Sequence, residues 1–248
     1  MLKTYAITDI GLRRQLNQDF VFSSEEPVGS LPNLFIVADG MGGHKAGDFA
    51  SRYAVETIIE EIKATDEKEP VAILNKAISK ANTYTILKSL QDDKLSGMGT
   101  TVVMATCIGN ELEVANVGDS RLYLINDKIE QITIDHSLVE EMVRMGSISR
   151  EAARNHPDKN IITRAIGAQD TVEADIFTLE VRVGDMILLC SDGLTNMIED
   201  EDILKILKSG ESLKDMAEEL VRTANNNGGK DNISLIIIER AADEVEHD

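Results

Sequence analysis

TVVMATCIGNELEVANVGDSRLYLINDKIEQITI, residues 101–134, holds four short apolar runs cut apart by Gly, Asn and Asp. The runs cover 101–108, 111–117, 121–125 and 130–134, and each has the length and composition of a strand. Gly109-Asn110 and Asn126-Asp127 are hairpin-type turns. Strands that follow one another through tight turns pair antiparallel. They argue against a doubly wound α/β fold, in which strand and helix alternate. Working outward, residues 2–10, 33–38, 174–181, 186–190 and 232–239 read as further strands. Helical spacing covers 46–64, where Phe49, Tyr53, Ile58 and Ile62 share one stripe. Pro70 opens a second helix that runs to about Leu90. Two more are expected over 199–209 and 213–225, the latter behind an approximate capping box of Ser212 and Asp215. The result is an α+β chain: two sheets, mainly antiparallel or mixed, with helices packed outside.

Residues 136–160 change character. They are charged and helical, and read as an insertion between strands. No repeat and no Pro/Ser-rich linker divides the chain, so one domain over 1–240 is expected, followed by an acidic, disordered tail at 241–248. Lys plus Arg is 25 and Asp plus Glu is 44, a formal net charge of −19. That balance argues against non-specific nucleic-acid binding and against adhesion to an anionic membrane. No apolar run approaches the roughly 20 residues that span a bilayer, and the first residues lack the features of a signal peptide. Cys107 and Cys190 each sit inside an apolar run and read as buried, reduced thiols. A cytoplasmic location is expected.

The chemical signal is a set of aspartates at abrupt transitions. Asp39-Gly40 and Asp192-Gly193 end apolar strands, Asp119 follows Val117-Gly118, and Asp231-Asn232 precedes the last strand. Asp9 and Asp19 lie in a first segment that also carries Arg14. A carboxylate beside a core strand is costly unless it stays wet, is paired or binds a metal. Hard oxygen ligands suit magnesium or manganese, and two such ions can activate water and clamp a phosphoryl group. Each Asp-Gly taken singly also reads as a plain turn dipeptide. The glycine-rich stretch at 41–47 fits neither a dinucleotide fingerprint nor a P-loop. His44, His136, His156 and His247 lack zinc spacing. Ser120 and Ser191 neighbour aspartates without forming a G-x-S-x-G elbow.

Six stretches then fall in order: GLRRQLNQD at 11–19, VADGMGGHKAGDFAS at 37–51, SGMGTT at 96–101, NVGDSRLY at 116–123, LLCSDGLTNMI at 188–198 and GGKDNISLI at 228–236. Together they resemble the metal-dependent serine/threonine protein phosphatases of the PP2C type (PPM family), in their compact bacterial form, over about residues 5–239. The resemblance implies a four-layer α-β-β-α sandwich with metals held at one end of the two sheets. It implies two divalent ions, manganese or magnesium. Asp39 would bridge them, Gly40 would offer its backbone carbonyl to the second, and Asp192 and Asp231 would complete the first. Asp119 would hold a third, weaker ion, with Asp192 possible as a shared ligand. Asp19 and Gln18 would hold water around the metals. Gln18 stands where many members carry Glu, which implies a weaker second ion. Asn232 would stand around the metal ligands without touching a metal. Arg14 would grip the substrate phosphate, its guanidinium fork matching two phosphate oxygens. The other reading of Arg14 is a surface arginine paired with a nearby acid.

The implied reaction is attack of a metal-bridged water on phosphoserine or phosphothreonine in proteins, reversing a cognate bacterial serine/threonine kinase, by a monomer with no nucleic-acid or membrane partner. One departure stands out. Animal-type members place a histidine directly after the metal-binding Asp-Gly, whereas Met41 occupies that position. Residues 136–160 match the variable flap of the family, and also read as a solvated helical insertion. Alternatives from other classes are a phosphatase of small phosphate esters, an inactive member used as a scaffold, and a calcium-responsive structural site.

Overall fold

The computed structural model describes residues 1–42 and 46–242. Among these residues two antiparallel sheets lie face to face. The first runs in the order β1 (Leu2–Asp9), β11 (Ile233–Arg240), β10 (Met186–Cys190), β7 (Arg121–Ile125) and β8 (Ile129–Gln131). The second runs β2 (Asp19–Ser24), β3 (Leu34–Met41), β5 (Val102–Ile108), β6 (Glu111–Val117) and β9 (Asp175–Glu180), with the short β4 (Gly99–Thr100) beside the end of β3. Helices α1 (Ala46–Ala64) and α2 (Pro70–Gln91) cover the outer face of the second sheet. The segment expected as a flap, residues 136–160, carries α3 (Leu138–Arg144) and α4 (Arg150–Arg154). Helices α5 (Asp192–Thr195), α6 (Asp200–Leu207) and α7 (Leu213–Asn226) cover the first sheet. The order of layers is α-β-β-α.

This layering explains the apolar runs. A strand buried on both faces needs apolar residues at every position. In β3, Leu34, Ile36 and Ala38 face α1 and α2, while Phe35 and Val37 face the other sheet. In β11, Ile233, Leu235 and Ile237 face the helices, while Ile236 and Ile238 face inward. Cys107 and Cys190 are both free and buried. No helix among the described residues is long and apolar enough to cross a membrane.

Several details depart from the sequence reading. The two hairpins of 101–134 belong to different sheets: β5–β6 lies in the second and β7–β8 in the first. The chain crosses between sheets at Gly118–Ser120. Strand β2 escaped the sequence reading because it is a half-buried edge strand with a weak apolar pattern. Strand β3 does not end at Asp39-Gly40 but pairs on, Gly40 with Thr100 and Met41 with Gly99. Strand β8 is shorter and starts earlier than the run at 130–134. The Ser212 hydroxyl accepts from the Asp215 amide at 3.2 Å, but the Asp215 carboxylate takes the Ser212 hydroxyl at 2.6 Å instead of closing the box on the backbone. Ala241 is still held, its amide donating to the Met1 carbonyl at 3.0 Å. The remainder of the expected tail from residue 243, with His247, lies outside the described residues, as does His44.

Candidate active site

The inward faces of both sheets turn polar over their last rung at one end of the sandwich. Val21 is preceded two residues earlier by Asp19 and Ile236 by Ser234, while Val37 is followed two residues later by Asp39 and Leu189 by Ser191. Alternation therefore aims these polar groups into the same space between the sheets. Asp19 and Asp39 are register partners across β2–β3. The Asp39 amide donates to the Thr101 hydroxyl at 3.0 Å, and its carbonyl accepts from Thr100 Oγ1 at 2.9 Å. Thr101 Oγ1 in turn shares a hydrogen bond of 2.7 Å with Ser120 Oγ. Asp119 occupies the crossing between sheets, Asp192 opens α5 directly after β10, and Asp231 lies just before β11.

The two Asp-Gly pairs are not turns. Both glycines allow close approach. A Cβ on Gly193 would strike the carbonyl oxygen of Asn232, and one on Gly40 would strike the carbonyls of Gly47 and Gln18. Removing the side chain lets α5 sit directly on the 231–232 backbone, bringing Asp192 beside Asp231.

Electrostatics confirm that the acids feel one another. Burial, then the charges of Asp19, Asp192, Asp119 and Asp231, hold the Asp39 carboxyl well above the usual carboxylate range. Burial pushes Asp19 up to about 7, with Asp192 and Asp231 adding to it and hydrogen bonds from Ser191 and Ser234 working against it. Burial and Asp231 push Asp192 up to about 6, while a hydrogen bond with Asp39 pulls the other way. Asp119 is raised well above its ordinary value by burial, then by Asp192 and Asp135. Asp9 stands apart. Its carboxylate is engaged by the Gly11 amide at 2.8 Å and the Asn225 side chain at 3.1 Å.

Neutral groups brace the cluster. Ser191 Oγ donates to Asp19 Oδ2 at 2.7 Å, and accepts from the Ser234 amide at 3.0 Å. Asn196 Nδ2 donates to Asp192 Oδ2 at 2.8 Å, and Lys159 from the flap donates to Asn196 Oδ1 at 2.9 Å. Asn232, 3% exposed, uses its whole side chain. Its Oδ1 accepts from the Gln18 amide at 2.8 Å, and its Nδ2 donates to the carbonyls of Ile10 at 2.9 Å and Leu16 at 3.1 Å. It thereby ties the loop carrying Arg14 to β11. The Gln18 side chain lies against Gly47 in the first turn of α1. Asn232→Ala takes the partner from three partly buried backbone groups, the Gln18 amide and the Ile10 and Leu16 carbonyls, so unfolding in denaturant at fixed manganese is expected to show a loss of about 1–3 kcal/mol. A loss below the scatter of surface substitutions would show that the loop does not depend on this residue.

Arg14 is paired with an acid, as the second of its sequence readings has it. Its Nη2 donates to Asp231 Oδ2 at 2.6 Å, a bond that holds the guanidinium further above its ordinary value, and its side chain is 47% exposed. It is a paired surface arginine, and its partner belongs to the cluster.

Among the described residues, no three His, Cys, Asp or Glu side chains close round one point as a finished ion cage does. They present instead an open set of hard oxygens. Among the described residues, Asp19 Oδ1, Asp119 Oδ1 and Asp192 Oδ1 are buried without hydrogen-bond partners. Orphaned carboxylate oxygens beside mutually repelling acids fit divalent cations that keep several waters of their own.

Comparison with known proteins decides the family. The model of the family described as Protein phosphatase 2C matches residues 12–233. This chain belongs to the protein phosphatase 2C family. The PP2C chain is 43% identical to the serine/threonine phosphatase stp of Listeria innocua over an alignment of 242 residues that covers 94% of each protein. It is similar to the solved serine/threonine phosphatase of S. agalactiae, with a TM-score of 0.90, 37% identity, and 96% of this chain and 99% of that one covered. The catalytic domain of the phosphatase PstP, solved with two manganese ions, matches with a TM-score of 0.86 and 33% identity, covering 97% of this PP2C chain and 99% of its own.

The hydroxyls of Thr101 and Ser234 and the Lys159–Asn196 pair were missed in the sequence, and Ser120 and Ser191 were weighed there only as nucleophiles. Ser234 did leave a signal: a lone hydroxyl on the inward face of an otherwise apolar strand.

Proposed function

We propose that the aspartate cluster is the catalytic centre of this PP2C-type serine/threonine protein phosphatase, acting on cytoplasmic phosphoproteins of a kinase signalling system. The observation that carries the reading is the set of acids from separate strand ends, with orphaned oxygens at one end of the sandwich and the Arg14 fork laid on the same cluster. Asp39, Asp192, Asp231 and the Gly40 carbonyl would hold two divalent ions, manganese or magnesium. Asp119, with Asp192, would hold a third. Bound ions lower the pKa of water and neutralise charge on phosphoryl oxygens. The protein's own part is positional. Asp19, held by Ser191, and Gln18 orient water at the cluster. Arg14 exchanges its bond with Asp231 for the phosphate oxygens of the substrate. Asn232 fixes the loop from which Arg14 reaches. Met41 has no proton to give, so the serine or threonine alkoxide takes its proton from water.

The test is phosphate release from a phosphothreonine peptide with and without millimolar manganese, alongside a small phosphorylated metabolite. Release from the peptide that requires the metal and exceeds that from the metabolite is expected. A folded protein that releases nothing with any divalent ion would overturn the reading in favour of a scaffold.

A further inference from the structure

Gly118 stands where the chain leaves β6 for β7, with Asp119 directly behind it. Its φ is +112°, and a Cβ there would strike the Thr101 side chain. Glycine accepts this bend but does little to hold it, because its backbone is the least restricted of all residues. The buried His136 supplies the hold. The Gly118 amide donates to His136 Nδ1 at 2.9 Å, and the His136 amide donates to the Gly118 carbonyl at 3.0 Å. Asn116 Nδ2 donates to the same carbonyl at 3.2 Å. A ring nitrogen that accepts carries no proton, so the neutral ring bears its proton on Nε2. Nε2 lies 3.1 Å from Asp175 Oδ2, and Arg164 donates to the other oxygen of that carboxylate at 2.6 Å. Asp175 opens β9, where it is the register partner of Asn116 in β6. The Thr163 amide donates to the His136 carbonyl at 2.8 Å. One buried residue therefore joins β9 and the chain at 163 to the peptide units on both sides of Gly118.

We propose that His136 is a positioning residue for Asp119: it fixes the Gly118 backbone from which the Asp119 carboxylate is aimed into the cluster. The inference rests on reading the cluster as the catalytic centre and Asp119 as a ligand of the third, weaker ion. The ring acts at one remove. It bonds to Gly118 and faces Asp175, and neither of these is assigned to an ion. Imidazole suits the task because its two nitrogens do different work, an acceptor towards the crossing and a donor towards Asp175. Without the acceptor, the Gly118 amide loses its only bond in the bend, and Asp119 stays acidic but is no longer held in place. A ligand constellation tolerates displacements of only about 0.5 Å, so a small relaxation of the crossing reaches the ion.

The experiment separates this role from a general brace of the fold. His136→Asn keeps an acceptor oxygen near the place of Nδ1 and gives up Asp175. His136→Gln keeps a donor near the place of Nε2 and leaves the Gly118 amide without its acceptor. Manganese is titrated calorimetrically into the folded, metal-free full chain, and phosphate release from a phosphothreonine peptide is followed against manganese concentration. Wild type and both variants are measured, each also combined with Asp119→Asn. Wild type is expected to show a weaker class of manganese sites that Asp119→Asn removes. His136→Gln is expected to weaken that class about tenfold and to leave the tighter sites unchanged, and His136→Asn to restore most of the loss. Combined with Asp119→Asn, His136→Gln should cost no further phosphate release, since nothing is left for it to position. Equal weakening of every site, an equal cost with and without Asp119, or a His136→Asn protein no better than His136→Gln would overturn the proposal. Should His136→Gln fail to fold, His136→Asn still decides, because loss of its weaker sites would overturn the proposal and their retention would support it. Peptide hydrolysis by a wild type that loses no site in Asp119→Asn would overturn the proposal and spare the catalytic reading. A folded wild type that binds no manganese would overturn both.

Discussion

Asp39→Asn is expected to reduce metal-dependent phosphate release by more than about a hundredfold, since losing even the partners that orient a metal ligand costs about 10–100-fold. The same substitution is expected to raise the melting temperature of the metal-free protein. The two effects share one cause. Asp39 is half-buried among Asp19, Asp119, Asp192 and Asp231, and its carboxyl is held well above the usual range. Groups with raised pKa values bind more protons folded than unfolded. Their contribution to stability is complete below the ordinary carboxylate pKa of about 4 and is lost as pH rises through the folded values. Those values are about 6 for Asp192 and about 7 for Asp19. The metal-free protein should therefore melt lower near pH 8 than near pH 5, by about 2–4 °C for each kcal/mol lost. An amide at position 39 removes charge from the middle of the cluster, and manganese does the same for wild type. Calorimetry in chelator reads the stability and phosphate release reads the activity. A variant that melts below wild type without metal, or that keeps its activity, would contradict this account.

Gly193→Ala is expected to damage fold and site together. The new methyl would strike the Asn232 carbonyl oxygen, with the Asp231 Cβ only 3.4 Å away. Neither neighbour is the loose end of a flexible side chain. Helix α5 would have to back away from the 231–232 segment, parting Asp192 from Asp231 and straining the Asn232 brace. Overpacking of this kind costs about 1–3 kcal/mol. Phosphate release should fall at least about tenfold and should not recover at saturating manganese, because the ligand spacing itself has changed. Wild-type turnover in a folded Gly193→Ala protein would show that α5 tolerates the shift.

The architecture was legible where alternation and burial agree. Runs such as 34–38 and 233–238 are apolar at every position because both faces are covered, and the turns at 109–110 and 126–127 announced antiparallel pairing. Sheet membership was not legible. Nothing local in Gly118–Ser120 says that the chain leaves one sheet for the other, since that depends on where β10 and β9 later arrive. Strand β2 was missed because an edge strand needs less apolar surface. Among the aspartates, sequence could not separate Asp9, spent on a turn and on Asn225, from Asp19, whose partner Ser191 lies 172 residues away. The resemblance named Asp39, Asp119, Asp192 and Asp231. The reason for Gly193 emerged only in three dimensions.

The placement of the acids on the final rung between two facing sheets sets how this enzyme can drift. With the cluster as the proposed catalytic centre, the inter-sheet core acts as a gauge block for the reaction: Phe35, Val37, Leu189 and Ile236 fix the gap that Asp19, Asp39 and Ser191 inherit. A volume change there that leaves the sandwich intact still alters the distance between carboxylates. The enzyme should therefore tolerate fewer changes in that layer than its fold does, and lose turnover while still well folded. The outer layers under α2 and α7, which do not set the gap, are free to vary more widely.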